Sequence, residues 1–253
     1  MSKIKAVFFD QDGVIIDTER NGHRVAFNKA FKEFGYQYEW DVKKYHELLQ
    51  IAGGKERIRH FLNSQGFEFK KDSDNNLIQN IHRRKTEIFV ELVKSEDLPL
   101  RPGVKRLMKE VTDKKLILGI CTTSNEKAAD EVAYQRLKDI QFDFVLAGDI
   151  VKNKKPNPDI YNLALKKAGL KPDECVAVED SHNGIMAAKS AGLNIIATPN
   201  DYTDLEDLSA ADIIVSCLGD ENGEKGFLKS NMDLPNYNGV LQLNMILEFF
   251  QKR

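Results

Sequence analysis

The sequence has little cysteine and no excess of charge of either sign. Across 253 residues it holds three cysteines, and 37 Lys and Arg oppose 39 Asp and Glu for a formal net charge of −2. This balance gives no strongly basic surface of the kind that binds nucleic acid or anionic lipid. No apolar stretch approaches the roughly 20 residues that span a bilayer. We therefore expect no nucleic-acid partner and no membrane.

The cysteines are too few and too scattered for a disulfide framework or a metal site. Cys121 and Cys175 lie within apolar runs, and Cys217 has no partner at a metal-ligand spacing. Such thiols behave as small buried hydrophobic residues, which is typical of a reducing compartment. Because an apolar run begins within four residues of Met1, no signal peptide is expected. The predicted location is the cytoplasm, or an organelle stroma or matrix if a targeting segment was removed.

The apolar residues predict an α/β fold. With 42% hydrophobic residues, the chain can bury a full core and form one large domain and one smaller domain. After about residue 100, short apolar runs alternate with helical patterns, as in a parallel sheet of βαβ units. The predicted strands are Ile4–Phe9, Leu116–Cys121, Phe142–Leu146, Cys175–Val178, Ile195–Thr198 and Asp212–Val215. The predicted helices are Pro158–Ala168 with Asn157 as its N-cap, Asn183–Ala191 and Val240–Phe250.

The stretch from Glu19 to Lys94 has helical spacing and almost no strand signal. Its apolar residues recur at i, i+3, i+4 and i+7, which indicates buried helix faces, and we expect Tyr38 and Trp40 to pack there. We predict a helical cap domain of residues 17–96, inserted into an α/β core of residues 1–16 and 97–253. Residues 219–239 are polar and rich in Gly and Asn, which predicts a long loop.

Asp10 and Asp12 directly follow the first apolar run, and Gly13 completes a D-x-D-G segment. In open parallel sheets, ligands bind in the crevice beyond the carboxyl ends of the strands. One carboxylate there can attack phosphorus and bind a metal, while the other transfers a proton. Taken alone, the segment fits an acidic turn after a strand equally well.

Three further segments end apolar runs in the same way. The second segment consists of Thr122, Thr123, Ser124 and Asn125. Its hydroxyl and amide groups can bind a phosphoryl oxygen, or they can cap the following helix. In the third, Lys155 is followed by Pro156 and can neutralise a phosphorylated carboxylate, or lie in a solvated basic turn. The fourth has Glu179 and Asp180, which suit Mg²⁺ or cap the next helix.

Taken together, the four segments contain the groups that phosphoryl transfer needs, because a parallel sheet brings its strand ends together. Their order and spacing resemble the four motifs of the haloacid dehalogenase-like hydrolase superfamily over almost the whole chain. This resemblance implies a doubly wound parallel sheet with an inserted α-helical cap, which agrees with the periodicity.

The resemblance also implies roles for the motif residues. Asp10 forms an aspartyl-phosphate, Asp12 is the general acid and base, and Thr122 and Lys155 hold the phosphoryl group. The implied cofactor is Mg²⁺, with ligands from Asp10, the backbone carbonyl of Asp12, and Asp180, and with support from Glu179. Gln11 replaces a small apolar residue common at its position. Because side chains alternate along a strand, we expect Gln11 to face away from the site and to be tolerated.

The cap resembles the CbbY-like branch of this superfamily, which includes phosphatases for xylulose 1,5-bisphosphate. The resemblance rests on Asp17-Thr18-Glu19, His23-Arg24, Ala26-Phe27-Asn28, Tyr45, Gly53–Ile58, Leu100–Val104, Thr122–Ala128 and Pro199–Thr203. The residues expected to bind substrate are Glu19, His23, Tyr45, Gly54, Lys55, Arg57, Lys85, Thr123, Ser124 and Asn125. Exposed helix-surface positions are the alternative for Glu19 and His23, and a solvated helix start is the alternative for Lys55 and Arg57.

The expected function is a Mg²⁺-dependent phosphatase for a small sugar phosphate, such as xylulose 1,5-bisphosphate. A phosphomutase of the β-phosphoglucomutase type is an alternative, since it uses the same core and cap. The second alternative is a non-catalytic binding protein, against which the intact set of motif residues argues. The expected partner is a phosphorylated sugar. The sequence does not fix the oligomeric state, with a monomer slightly favoured.

Overall fold

A computed structural model describes residues 3–49, 51, 53–67, 73–95, 98–148, 150–229 and 234–252. The chain forms two compact units, one of Met1–Asp17 with Pro99–Arg253 and the other of Thr18–Leu98. Residues 96 and 97, where the sequence predicts the second domain boundary, lie outside the described residues.

The first unit contains a sheet whose six strands, among the described residues, all pair in parallel in the order β3-β2-β1-β4-β5-β6. The strands are β1 Ala6–Phe9, β2 Ile117–Cys121, β3 Phe144–Leu146, β4 Cys175–Glu179, β5 Asn194–Ala197 and β6 Ile213–Ile214. Since every strand runs in the same direction, all carboxyl ends lie at one edge. The predicted fold class is confirmed.

Helices lie in the connections between β1, β2, β3, β4 and β5, and α9 follows β6. They are α5 Val104–Asp113, α6 Glu126–Asp130 continuing as π-helical turns over Glu131–Arg136, α7 Asp159–Ala168, a 3-10 turn at Pro172–Glu174, α8 His182–Ser190 and α9 Leu243–Gln251. The start of α7 differs from the prediction, because Pro158 occupies its N-cap. Its end agrees, since Gly169 adopts the left-handed conformation with φ 65°.

The sheet is buried as its apolar runs predict. Phe8 is fully buried and its ring centroid lies 5.5 Å from that of Phe144. The apolar faces of α7 and α8 pack in the same core as β1 and β4. The three cysteines are buried and unpaired. The described part of the predicted 219–239 loop contains no helix or strand, and residues 230–233 lie outside that part.

The second unit is helical, with α1 Arg24–Glu33, α2 Val42–Leu49, α3 Gly54–Ser64 and α4 Ser73–Lys94, and π-helical turns at Glu19–His23 before α1. An aromatic core holds it together. Trp40 is fully buried, with its ring centroid 5.1 Å from those of Phe31 and Phe61. Tyr38 packs edge-on against Phe31. Within the described residues, the helices are all too short or too polar to cross a membrane.

Candidate active site

Three neighbouring strands deliver the predicted motif residues to one edge of the sheet. Asp10 follows β1, Thr122 follows β2 and Asp180 follows β4. Because β1 lies between β2 and β4, these residues meet at the centre of that edge, where ligands bind in such folds. The backbone continues the sheet pattern for one more residue, since Asp10 N donates to Val178 O at 3.0 Å.

Lys155 connects two of the carboxylates. Its Nζ donates to Asp10 Oδ1 at 2.6 Å, to Glu179 Oε1 at 2.6 Å and to the Cys121 carbonyl at 3.0 Å. Burial disfavours the ammonium, but the carboxylates of Asp10 and Glu179 outweigh this effect and raise the pKa of Lys155. A charged amine therefore lies buried beside the predicted nucleophile.

The carboxylates of Asp10, Glu179 and Asp180 form a buried acidic cluster. Each offers an oxygen within 4.8 Å of the others. Burial raises the pKa of Asp10 to about 7, against the opposing charge of Lys155 and with further raising by Glu179 and Asp12. Burial also raises the pKa of Asp180 well above its usual range, and Asp10 and Glu179 add to it. Burial and mutual repulsion therefore favour protonated carboxyls here, because full ionisation would place three negative charges beside one ammonium.

This cluster fits Mg²⁺. Magnesium prefers oxygen ligands and is usually held by one or two carboxylates while keeping several waters. Asp10 and Asp180 would supply such oxygens at the ends of adjacent strands, and a divalent cation would favour the ionised carboxylates over the protonated ones. The donor set contains neither thiolate nor imidazole, so it is not typical of a zinc site.

Asp12 differs in its surroundings from Asp10. It is half-buried, and its Oδ2 accepts a hydrogen bond from Ser124 Oγ. Its Oδ1 is buried and has no hydrogen-bond partner among the described residues. Ser124 is itself held in place, since its backbone N–H donates to Thr122 Oγ1 at 3.1 Å. The structure therefore brings Asp12, Thr122 and Ser124 together.

The neighbouring predicted residues have different environments. Thr123 is half-buried. Asn125 is exposed and caps α6, because its Oδ1 accepts from Lys127 N at 3.0 Å. Gln11 is fully buried, and its amide oxygen and nitrogen have no hydrogen-bond partner among the described residues. An unpaired buried amide costs about 1–3 kcal/mol, so the tolerance of Gln11 stays a prediction.

Most of the remaining predicted substrate-binding residues form contacts within the helical unit. Tyr45 donates to Glu19 Oε2 at 2.6 Å, and Lys85 Nζ lies 2.9 Å from His23 Nδ1. Burial lowers the pKa of His23 well below its usual range, and Lys85 and Arg57 lower it further. A neutral His23 therefore accepts the hydrogen bond from the Lys85 amine.

The two cations after the Gly-Gly turn are not equivalent. Arg57 donates through Nε to the Leu48 carbonyl at 2.9 Å and through Nη2 to the Ile51 carbonyl at 3.2 Å. Lys55 is exposed. A side chain on Gly54 would meet the His82 ring at 2.7 Å, which explains the glycine there. The guanidinium of Arg57 thus also stabilises the helical unit.

Three further residues approach the site without having been assigned a role from the sequence. The buried Tyr161 donates from its hydroxyl to Glu179 Oε1, and Lys155 Nζ lies 5.3 Å from the centre of its ring. Asn200 donates to Asp180 Oδ2 at 2.8 Å. Arg101 donates to the Gly13 carbonyl. Tyr161 lies on the apolar face of α7, so its spacing indicates only core packing.

Comparisons with known proteins agree with this geometry. The haloacid dehalogenase-like hydrolase family matches residues 4–192. A CBBY-like protein of Arabidopsis thaliana is 42% identical over 229 residues, covering 87% of this chain and 71% of that protein. Protein CbbY of Cereibacter sphaeroides is 41% identical over 226 residues, covering 88% of this chain and 96% of that protein. A crystal structure of a Rhodobacter sphaeroides CbbY mutant in complex with xylulose-(1,5)bisphosphate aligns with a TM-score of 0.73 and 40% identity, covering 85% of this chain and 94% of that one.

Proposed function

The chain belongs to the haloacid dehalogenase-like hydrolase family, and on this premise we propose that it is a Mg²⁺-dependent phosphatase that hydrolyses a small sugar phosphate through an aspartyl-phosphate. The observation that carries the proposal is the buried Lys155 ammonium, which is 2.6 Å from both Asp10 and Glu179. The substrate class that we propose is a sugar bisphosphate, with xylulose 1,5-bisphosphate as the first candidate, since a CbbY structure holds that compound.

In the first step, Asp10 attacks phosphorus. Its Oδ1 accepts from Lys155, and we assign the attack to Oδ2. A bond forms between this oxygen and phosphorus while the bond from phosphorus to the sugar oxygen breaks. Asp12 donates a proton to the departing oxygen, and Ser124 orients its carboxyl group. Lys155 offsets the negative charge on the reacting groups, and the Thr122 hydroxyl stabilises it by donating a hydrogen bond.

In the second step, water attacks the same phosphorus and releases phosphate. Asp12, which lost its proton in the first step, now accepts one from the water. Asp10 leaves as a carboxylate, so the enzyme returns to its starting state. We propose that Mg²⁺ is held by Asp10, the backbone carbonyl of Asp12 and Asp180, with Glu179 in support. When bound, the ion offsets repulsion between the carboxylate and the incoming phosphate.

We assign recognition of the rest of the substrate to the helical unit. Its proposed substrate-binding residues are Glu19, His23, Tyr45, Gly54, Lys55, Arg57 and Lys85. In many enzymes, a separate unit that closes on the substrate sets substrate choice while the core performs the chemistry. We assign Thr123 and Asn125 to contacts near the transferred phosphoryl group.

Phosphate release should depend on Mg²⁺. With sugar phosphates as substrates, we expect activity to vanish in EDTA and to return when Mg²⁺ is added in excess. Asp180→Ala should raise the Mg²⁺ concentration needed for half-maximal rate far more than Ser181→Ala. Ser181 is the matched control, because its side chain caps α8 by accepting from Gly184 N. Loss of such a cap costs about 1 kcal/mol of stability.

The same assay tests the assignment of reaction type. Release of inorganic phosphate in proportion to substrate loss supports a phosphatase, whereas an isomeric sugar phosphate without phosphate release supports a mutase. Full activity in chelator would refute the proposed metal dependence.

Lys55→Ala should separate a bisphosphate from a simple ester. We expect kcat/KM for xylulose 1,5-bisphosphate to fall on the order of 10²-fold, because a charge pair to the second phosphate is lost. The value for p-nitrophenyl phosphate should hardly change, since that ester has no second phosphate. Lys43→Ala is the control, because Lys43 is another exposed lysine of the same unit. Equal losses on both substrates would remove the support for a bisphosphate.

A further inference from the structure

The half-buried Arg101 connects three strand ends of the α/β unit. Its guanidinium donates to backbone carbonyls that follow β1, β5 and β6, namely those of Gly13, Thr198, Pro199 and Ser216. Its own backbone N–H donates to Ile15 O at 2.9 Å. Only a planar group with several donors at fixed angles can satisfy such a set, so lysine is not a substitute here.

The segment after β5 brings an amide to the acidic cluster. Arg101 holds the carbonyls of Thr198 and Pro199, and the next residue, Asn200, donates from Nδ2 to Asp180 Oδ2 at 2.8 Å. The orientation of this amide is fixed, because Asn200 Oδ1 accepts from Tyr202 N at 2.9 Å. Asn200 therefore presents a donor, and not an acceptor, to the carboxylate.

The turn after β1 closes on the same carboxylate. Gly13 has φ 81°, and a Cβ on it would lie 2.2 Å from Asp180 Oδ2 and 2.7 Å from Asn200 Nδ2. The Gly13 carbonyl is one of those held by Arg101. Asp180 thus lies against two backbone segments whose positions depend on one guanidinium.

We propose that Arg101 and Asn200 are positioning residues for Asp180. Arg101 holds the backbone segments after β1 and β5 in place. Asn200 lies in the second of these segments and orients Asp180 by donating a hydrogen bond to its Oδ2. The carboxylate is thereby oriented to bind the cation. Neither residue touches the reacting atoms. The inference rests on the proposed function, since it concerns the Mg²⁺ site. Groups that orient a metal ligand typically change metal affinity 10- to 100-fold when they are removed.

The test is the Mg²⁺ dissociation constant of the purified full chain, measured by isothermal titration calorimetry without substrate. Asn200→Ala and Arg101→Lys should each bind Mg²⁺ about 10- to 100-fold more weakly than wild type. In activity assays, both should need more Mg²⁺ for half-maximal rate, and kcat should largely recover at saturating Mg²⁺. Asn200→Ser is the second variant, because serine can accept from Tyr202 N and maintain the turn but is too short to reach Asp180.

Two matched controls separate positioning from general stability. Arg106 resembles Arg101, since its guanidinium donates to the carbonyls of Leu218, Gly219 and Leu241. Arg106→Lys should lower the melting temperature but leave the Mg²⁺ dissociation constant unchanged. Asn194 donates from its amide to the carbonyls of Asp173 and Cys175, and Asn194→Ala should behave in the same way.

The outcomes distinguish this inference from the proposed function. If wild type binds Mg²⁺ while Asn200→Ser and Arg101→Lys bind it with unchanged affinity, the positioning role is overturned and the phosphatase proposal stands. The positioning role is equally overturned if Arg106→Lys weakens Mg²⁺ binding as much as Arg101→Lys. If wild type binds no Mg²⁺ and is active in chelator, the proposed metal site itself fails and the inference fails with it.

Discussion

Asp10→Asn is expected to lower kcat at least about 10³-fold, because the amide has no nucleophilic oxygen to attack phosphorus. The fold should persist. Asparagine has nearly the same shape, and its oxygen can still accept the hydrogen bond that Lys155 gives to Asp10 Oδ1 at 2.6 Å. Steady-state phosphate release and thermal unfolding measure the two effects separately.

A second Asp→Asn exchange in the same sheet is the control. Asp143 Oδ2 accepts from Leu118 N at 2.8 Å, before the start of β3. Asp143→Asn removes one negative charge and keeps an acceptor, so its activity should stay near that of wild type. A rate above a few per cent of wild type in Asp10→Asn would show that another group attacks phosphorus.

Lys155→Met should abolish activity and also destabilise the protein. Removing the ammonium leaves the buried carboxylates of Asp10 and Glu179 without their cation, and breaking a buried pair in this way costs about 3–5 kcal/mol. Unfolding in denaturant, measured with chelator present so that no metal replaces the ammonium, gives the loss. Lys152→Met is the control, because Lys152 is an exposed lysine of the same segment.

The loss of stability in Lys155→Met should depend on pH. Burial raises the pKa of Asp10 to about 7 in wild type, even though Lys155 acts to lower it. Without Lys155 that pKa rises further, so the folded state retains a proton that the unfolded chain releases. A group with a raised pKa favours folding at low pH and loses this contribution as pH rises through its folded pKa. The difference in unfolding free energy between wild type and Lys155→Met should therefore be smaller near pH 5 than near pH 8. A difference that is the same at both values contradicts the assigned ion pair.

The sequence predicts the fold and the centre of the site because both depend on local patterns. Apolar runs locate the strands, and polar residues directly after them, such as Asp10 and Asp180, must meet when the strands are parallel. The family assignment is confirmed, since the family matches residues 4–192, a range that contains all four segments. The predicted strand Asp212–Val215 is shorter in the structure, where β6 is Ile213–Ile214.

The rest of the site depends on tertiary contacts that have no pattern in the sequence. The position of Arg57 after a Gly-Gly turn predicts a cation available to bind substrate. In the structure, two of its N–H groups donate to backbone carbonyls of the helical unit. Arg101 and Asn200 lie 99 residues apart in sequence, and only the fold joins them through the segment after β5. Tyr161 has the spacing of a core residue, so its hydroxyl contact with Glu179 is visible only in three dimensions.

A single-turnover trapping experiment should detect the proposed aspartyl-phosphate at Asp10. The Asp12→Ala variant is mixed with p-nitrophenyl phosphate and Mg²⁺, quenched in acid, digested and analysed by mass spectrometry. Because p-nitrophenolate leaves without a proton donor while attack by water still needs a base, the intermediate should accumulate. We predict a burst of p-nitrophenolate equal to the enzyme concentration and a phosphate on the peptide that contains Asp10. A burst with the phosphate on another residue, or turnover with no phosphorylated peptide, would show that Asp10 is not the nucleophile.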